Sequence, residues 1–170
     1  MSGARPRVRR PLAPMLSGLA AAAAGVFMLG AAAPDGPWVL HRSGSVAAAR
    51  KMIAACEDLA ARNHWLVAVW VLDDRGTPAA FARMEGAPAL AVETAQEKAK
   101  TALALGHPSG DLGAGLDKGQ LQILGLKLFP MKGGLPLLAE GRVAGAIGVG
   151  GAESAEDEEC AQAGVDALSR

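Results

Sequence analysis

An uninterrupted apolar run, WLVAVWVL at Trp65–Leu72, is the feature that most narrows the folds open to this chain. The run is too short for a buried helix, and its valines and tryptophans favour extended backbone. It therefore predicts a central strand that is buried in the domain. Turn residues follow at Asp73–Gly76, and a second strand is predicted over Thr77–Met84. Pro78 indicates that this second strand lies at a sheet edge, because proline cannot donate a hydrogen bond to a neighbouring strand.

Three further strands are predicted in the C-terminal half, at Leu126–Met131, Leu135–Ala139 and Arg142–Val149. Tight turns at Gly133-Gly134 and Glu140-Gly141 connect them, and such turns make neighbouring strands antiparallel. Apolar periodicity predicts helices that end near Arg62, Leu105 and Leu168, with a further short helix over Leu116–Leu124. This order of elements predicts an α+β fold, in which a five-stranded antiparallel sheet is flanked by helices.

The ends of the long helices carry capping residues. Ser43 or Ser45 can cap the first helix, and Asn63 can end it in a left-handed conformation. Gly106 is expected to end the second helix, which begins at Ala89. Ser154 and Asp157 have the spacing of a capping box at the start of the last helix.

The N-terminal residues follow the order of an export signal. Residues 5–10 contain four arginines and no acid, and Leu12–Ala33 carries no charge. A basic start, an apolar middle and small residues at the end are typical of a secretory signal peptide. An uncleaved membrane anchor is the alternative, and it is disfavoured because alanine and glycine provide little hydrophobic driving force.

The expected organisation follows from a cut before Ala33. We expect residues 1–32 to be the signal peptide, residues 33–42 a linker and residues 43–170 the folded domain. Arg9-Arg10 resembles a twin-arginine signal, so the general secretory (Sec) route and the twin-arginine route both stay open. The processed protein is expected to be periplasmic or secreted, without a stable membrane span.

Charge argues against several classes of partner. The chain has 17 basic and 17 acidic residues, and cleavage would remove four arginines, leaving 13 basic and 17 acidic residues and a net charge of −4. Nucleic-acid binding needs a basic surface that releases counterions, so we expect no nucleic-acid partner. Tyrosine is absent, and with three Trp and three Phe the chain has few aromatic residues on which bases could stack.

Two cysteines, Cys56 and Cys160, fall in the first and last predicted helices. In an oxidising compartment they can form one disulfide. Alternatively, both are small core residues in alanine-rich helices, and the sequence leaves the two interpretations open. A structural zinc site is not predicted, because the chain has no CxxC motif and no Cys/His cluster.

Two stretches resemble the GlcG/HbpS family. They are VLDDRGTPAAFARMEGAP, followed by EKAKTALAL, and GGLPLLAEGRVAGAIGVGGAESAEDEECAQAGVDAL. The resemblance covers most of residues 66–105 and 133–168, and implies a profilin-like or PAS-like sheet, a homo-oligomer and, as in some members, haem binding. The sequence departs from the family pattern at Gly150, where serine is usual, and at Glu85, where aspartate is frequent.

If haem is the cofactor, its iron requires an axial ligand, usually His, Cys, Met or Tyr. His107, just after a helix end, is the leading candidate, although a histidine there can also cap the helix. His64 is expected to cap the first helix, and His41 lies in the linker. Met84 and Met131 are further axial candidates that more often fill a core. Covalent c-type attachment is excluded because no CxxCH motif occurs.

A small organic acid is the alternative ligand. The glycines that precede the last helix can expose backbone N–H groups to an anion, with Arg83 and Lys98 as neutralising cations. Alternatively, these glycines only permit tight packing, and Glu156 and Asp157 satisfy the helix end. The residues predicted to contact a ligand are Arg83, Glu85, Lys98, Gly133, Gly134, Gly148 and Gly150.

No catalytic residue is assigned from the sequence. The nucleophile-elbow, metalloprotease, phosphate-loop and dinucleotide-binding motifs are absent. Glu85 or Glu93 could act as a base, but no nucleophile is paired with either. An oligomeric scaffold for a periplasmic partner stays open as a further interpretation, since a sheet with one exposed face can bury it by self-association.

Overall fold

Four antiparallel strands form the centre of the computed structural model, which describes residues 42–169. The predicted signal peptide, His41 and the rest of the linker before Arg42 lie outside the described residues. The strands are β1 (Ala68–Asp73), β2 (Pro78–Arg83), β3 (Gly134–Ala139) and β4 (Arg142–Gly150). Their order across the sheet is β2-β1-β4-β3. The predicted central position of β1 and the edge position of the Pro78 strand are therefore confirmed.

The predicted fifth strand at Leu126–Met131 is wrong. A 3₁₀ helix occupies Leu121–Leu126, and irregular backbone follows it to β3. Side chains bind this backbone: the Phe129 N–H donates to Thr101 Oγ1 at 2.8 Å, and Ser109 Oγ donates to the Met131 carbonyl. Because these groups are bound by side chains and Pro130 has no N–H, the segment does not extend the sheet. The α+β class holds, with four strands instead of five.

The segment before it also differs from the prediction. A helix over Leu116–Leu124 was expected, whereas the structure has α3 (Gly110–Asp117) and the separate 3₁₀ helix. Gly119 separates the two with a φ of 81°, a left-handed value that helix interiors do not accommodate.

Three longer helices pack on the sheet: α1 (Val46–Asn63), α2 (Ala89–Leu105) and α4 (Ser154–Asp166). Ser45 caps α1 by accepting the Ala48 N–H at 3.1 Å, and Gly106 ends α2 at a φ of 67°, both as predicted. The left-handed residue after α1 is His64, at a φ of 60°, and not Asn63.

The capping box of α4 is displaced by one residue from the prediction. Glu153 and Glu156 form it, and the Glu153 N–H donates to Glu156 Oε2 at 3.0 Å. Asp157, predicted as a member of the box, is therefore free to turn inward.

Helices cover both faces of the sheet. On one face α1 and α4 pack over Val67, Val69 and Val71 of the central run, together with Ile147 and Val149 of β4. On the other face α2 packs over the alternate residues, with its Ala91 and Ala95 against Ala68. This alternation along β1 is what a strand buried on both faces requires.

Cys56 of α1 and Cys160 of α4 form a disulfide, with their Cα atoms 4.7 Å apart. Both residues are fully buried. Among residues 42–169, no helix combines the length and apolar character needed to cross a membrane.

Candidate functional site

A cleft of about 240 Å³ opens between the first half of α2 and the loop that joins β4 to α4. Apolar groups form most of its wall, and the exposed side chains of Leu90 and Met131 stand at its rim. Its lining residues are Pro88, Leu90, Ala91, Thr94, Lys98, Met131, Gly151 and Ala152. The arrangement is a concave apolar site with few polar groups, which is typical of small-molecule sites.

Lys98 is the charged residue of this lining. Its side chain is only 2% exposed, and its Nζ donates to Asp157 Oδ2 at 2.5 Å. The other oxygen of Asp157 accepts the Ala152 N–H at 3.1 Å. Two hydrogen bonds thereby fix the carboxylate beside the ammonium, and Lys98 borders the cleft.

Burial dominates the electrostatics of this pair. Removal from water raises the pKa of the Asp157 carboxyl above its ordinary value of 3.8, although the hydrogen bond and charge of Lys98 act in the opposite direction. The Ala152 N–H also lowers the pKa, and the negative charge of Glu156 raises it. A buried carboxylate with a raised pKa is costly to ionise. A contribution to the stability of the fold therefore does not explain why the ion pair is present.

Gly133 makes room for the ion pair. A Cβ atom at this position would lie 2.8 Å from Asp157 Cβ and 3.1 Å from Lys98 Nζ. The φ of 113° is also one that side-chain-bearing residues rarely adopt. Glycine is therefore required here, because the charged side chains of Lys98 from α2 and Asp157 from α4 pass beside the start of β3.

The glycines of β4 serve close packing of α2. A Cβ on Gly148 would lie 2.5 Å from the Ala99 nitrogen, and one on Gly150 would lie 2.8 Å from the Ala91 carbonyl oxygen. Gly134 meets the Lys98 backbone in the same way. This geometry favours the packing interpretation of these glycines, and their contact with a ligand stays a prediction. The serine that the family usually has at position 150 would have no room here.

Two N–H groups directly before α4 are bound by the protein's own carboxylates. Asp157 accepts the Ala152 N–H, and Glu156 accepts the Glu153 N–H. Neither of these two N–H groups is available to an external anion.

Of the seven predicted contact residues, Lys98 lines the cleft. The other six lie outside its lining, as does the axial candidate His107, and they are Arg83, Glu85, Gly133, Gly134, Gly148 and Gly150. Arg83 donates to the Ala87 carbonyl at 3.0 Å, Glu85 is exposed in the turn before α2, and His107 is exposed after Gly106. Lys98 lines the cleft, and Gly133 is adjacent to its Nζ. Met84 packs against the main core, whereas Met131 lines the cleft.

The sequence predicts the wrong role for Asp157. An acid in the first turn of a helix is usually explained by the helix dipole, and its buried partner is 59 residues away in the sequence. The residues next to Asp157 in the sequence therefore do not indicate that it pairs with Lys98. Lys98 itself is the sequence feature that indicates a buried charge, because it lies among the alanines on the buried face of α2.

Two other possible sites were compared with the cleft. A groove of about 370 Å³ lies between α1 and β2, and none of the predicted ligand contacts lines it. Within the part of the chain that the structure describes, there is no group of three or more His, Cys, Asp and Glu residues able to hold a metal ion.

The fold and the cleft together define a small α+β domain with a ligand-sized site at the end of its sheet. The sequence model of the family described as "Haem degrading protein HbpS-like" matches residues 45–166. The chain belongs to this GlcG/HbpS family.

Individual relatives agree with this assignment. Protein GlcG of Escherichia coli K12 is 31% identical over 102 residues, covering 59% of this chain and 76% of GlcG. The crystal structure of HbpS has a TM-score of 0.73 at 29% identity, covering 81% of this chain and 98% of HbpS. A crystal structure named as a PduOC:heme complex has a TM-score of 0.68 at 25% identity, covering 74% and 94%.

Proposed function

We propose that this protein is an exported small-ligand-binding protein and that its ligand is haem. The observation that carries the proposal is membership of the HbpS-like family together with similarity to a structure solved as a haem complex. The apolar cleft beside α2 is the place in this chain where such a ligand would make contact.

The residues of the cleft fit haem in part. Pro88, Leu90 and Met131 provide apolar contact for the edge of a flat macrocycle, and Leu90 is 65% exposed without it. The volume of about 240 Å³ is below the ~300–1,000 Å³ typical of sites that enclose a drug-sized ligand. Within residues 42–169, no histidine or cysteine lines the cleft. One chain therefore supplies an apolar surface for haem, and an enclosed site requires further groups.

A homo-oligomer supplies those groups in this proposal. A second copy would cover the part of the macrocycle that the cleft leaves outside, because sites at subunit interfaces are built from both copies. His107 is exposed and can reach an approaching copy, so it stays the candidate axial ligand. Supporting this, large apolar side chains are exposed at Leu121, Leu124 and Leu126.

The N-terminal sequence supports export, and a disulfide between the two cysteines is consistent with it. Residues 1–32 have the order of a signal peptide, and the Cys56–Cys160 disulfide would persist in an oxidising compartment. We therefore place the processed protein in the periplasm or outside the cell.

A small organic acid is the second candidate ligand, and Lys98 favours it. An ammonium has three donors, and the described hydrogen bond to Asp157 uses one of them. A carboxylate in the cleft could accept the others. The scaffold interpretation is supported only by the exposed apolar residues.

Titration of haemin into the purified chain that begins at Ala33 tests the haem proposal. We expect a shifted Soret band that saturates at a fixed ratio of haem to protein. Leu90→Asp should weaken haem binding at least tenfold, or by about 1.4 kcal/mol. Leu138→Asp is the matched control, because Leu138 is 61% exposed on β3 and is not part of the cleft lining.

The outcomes of this titration separate the candidates. No saturable Soret shift in the unmodified protein overturns haem binding. Equal weakening by Leu90→Asp and Leu138→Asp removes the cleft from the proposal. A changed Soret band in His107→Ala identifies the axial ligand, and an unchanged band removes His107 from that role.

A further inference from the structure

Lys98 differs from every other lysine that the structure describes. The other lysines of residues 42–169 are exposed, including Lys100, whose side chain is 48% exposed beside Glu97. Lys98 is buried, yet it lines the cleft. A buried lysine therefore borders a space that a small molecule can enter.

The partner of Lys98 is placed to exchange a proton with it. Asp157 Oδ2 is 2.5 Å from Nζ, and the Ala152 N–H holds the other carboxylate oxygen. Burial makes a pair of charges costly relative to a pair of neutral groups. The burial that raises the pKa of Asp157 acts in this direction.

We propose that Lys98 is a nucleophilic amine that captures short aliphatic aldehydes in the cleft as a reversible Schiff base, with Asp157 carrying the proton. Desolvation of a lysine amine in an apolar pocket is a known way to activate it for such chemistry. This goes beyond haem binding and gives Lys98 a chemical role in the cleft.

The atoms of the step balance without a co-reactant. The ammonium of Lys98 gives a proton to Asp157, and the neutral Nζ forms a bond to the carbonyl carbon of the aldehyde. The carbonyl oxygen takes one of the two protons left on Nζ and becomes a hydroxyl. The hydroxyl then leaves as water with the proton that Asp157 returns, and a protonated imine remains between Nζ and the former carbonyl carbon, beside the Asp157 carboxylate.

The cleft limits the size and charge of the substrate. Its volume of about 240 Å³ corresponds to about eight groups of water size, at ~30 Å³ each. Among the lining residues that the structure describes, Lys98 is the only cationic one, and the imine uses it. An acid group on the substrate would therefore have no further cationic side chain in the lining, so a neutral aldehyde fits better than an oxo acid.

Reductive trapping tests the proposal. The chain beginning at Ala33, free of haem, is incubated with propionaldehyde and cyanoborohydride, and peptide mass mapping follows the propyl group on each lysine. We expect Lys98 to be modified at least tenfold faster than Lys100, and Lys98→Arg to remove this fast phase. Modification of the exposed lysines while Lys98 stays unmodified overturns the proposal, and this comparison within one protein does not depend on any variant folding.

The pH dependence of trapping tests the role of Asp157 as the residue that carries the proton. The charged groups described around its carboxyl are Lys98 and Glu156, with the Lys132–Glu158 pair further out on α4. Because Asp157 supplies the proton from within the site, the wild-type rate of Lys98 trapping should be nearly constant between pH 6 and 8. In Asp157→Asn, loss of water depends on external acid, so the rate should fall as the pH rises and be at least tenfold lower at pH 8. Identical pH profiles for the two proteins overturn this role.

Failure of the aldehyde test and failure of haem binding are distinguishable. Trapping is measured without haem, and the haem titration is read from the Soret band without aldehyde. Loss of the Soret shift with fast Lys98 trapping intact removes haem binding alone, and loss of fast Lys98 trapping with the Soret shift intact removes the aldehyde proposal alone.

Discussion

Lys98 and Asp157 meet at the end of the sheet although their helices pack on opposite faces of it. Nζ of Lys98 lies 2.5 Å from Oδ2 of Asp157, and Gly133 passes beside both side chains at the start of β3. The ion pair thus connects α2 to α4 around the sheet. Both side chains are only 2% exposed, and Lys98 borders the cleft.

Removing one partner of this pair should be costly. Lys98→Met leaves the buried carboxyl of Asp157 without its cation, and we expect the free energy of unfolding to fall by about 3 kcal/mol. The double variant Lys98→Met/Asp157→Leu should recover most of this loss, because no buried charge remains. Urea unfolding of the three proteins measures both effects.

An exposed ion pair provides the control for that experiment. Lys100 lies 2.7 Å from Glu97, and both side chains are more than 40% exposed. Lys100→Met should change the free energy of unfolding by less than about 0.5 kcal/mol. A Lys98→Met variant that is no less stable than Lys100→Met contradicts the assignment of a buried pair.

The raised pKa of Asp157 has a consequence for the pH dependence of stability. A group whose pKa is higher in the folded than in the unfolded protein contributes stability below its unfolded pKa, and this is lost as the pH rises through the folded pKa. The ordinary value is 3.8. The free energy of unfolding of the wild type, minus that of Asp157→Asn, should therefore decrease as the pH rises from below 3.8 toward neutrality. Urea unfolding across this pH range measures the slope, and an increase with pH contradicts the direction of the shift.

The close approach at Gly133 predicts a substitution that the site does not tolerate. Gly133→Ala places a Cβ 2.8 Å from both Asp157 Cβ and the Val149 carbonyl oxygen, at a φ of 113°. We expect the free energy of unfolding to fall by about 3 kcal/mol, from backbone strain and displacement of the pair together. Gly119→Ala is the matched control, because Gly119 has a φ of 81° with no atom within 4 Å of an added Cβ. It should cost about 1 kcal/mol, and equal losses at the two positions contradict the contact with the pair.

Several parts of the fold could be predicted because their causes are local. The burial of β1 follows from its own apolar run, the edge position of β2 from Pro78, and the end of α2 from Gly106. Each is decided by the steric or hydrogen-bonding properties of the residue itself. The order of elements predicted the α+β class, and the family resemblance implied a profilin-like or PAS-like sheet; the structure of HbpS, with a TM-score of 0.73, supports the α+β fold.

The predictions that were wrong concern residues whose structure is decided by distant contacts. Leu126–Met131 has the composition of a strand, but Thr101 and Ser109 bind its backbone from 28 and 22 residues away. Asp157 has the position of a helix-capping acid, but Lys98 attracts it inward from 59 residues away. In both cases a contact between distant segments outweighs the local pattern, so a single sequence could not show it.

The disulfide gives the last prediction. Cys56 and Cys160 close a loop with a sequence separation of 104 residues, and both are fully buried between α1 and α4. Restriction of the unfolded chain by a loop of this length stabilises the folded state by about 5 kcal/mol. Cys56→Ala/Cys160→Ala should lower the free energy of unfolding by about that amount in oxidising buffer. Urea unfolding of the wild type with and without dithiothreitol provides the control, since reductant should destabilise the wild type and leave the double variant unchanged. A double variant within about 1 kcal/mol of the oxidised wild type contradicts a stabilising disulfide.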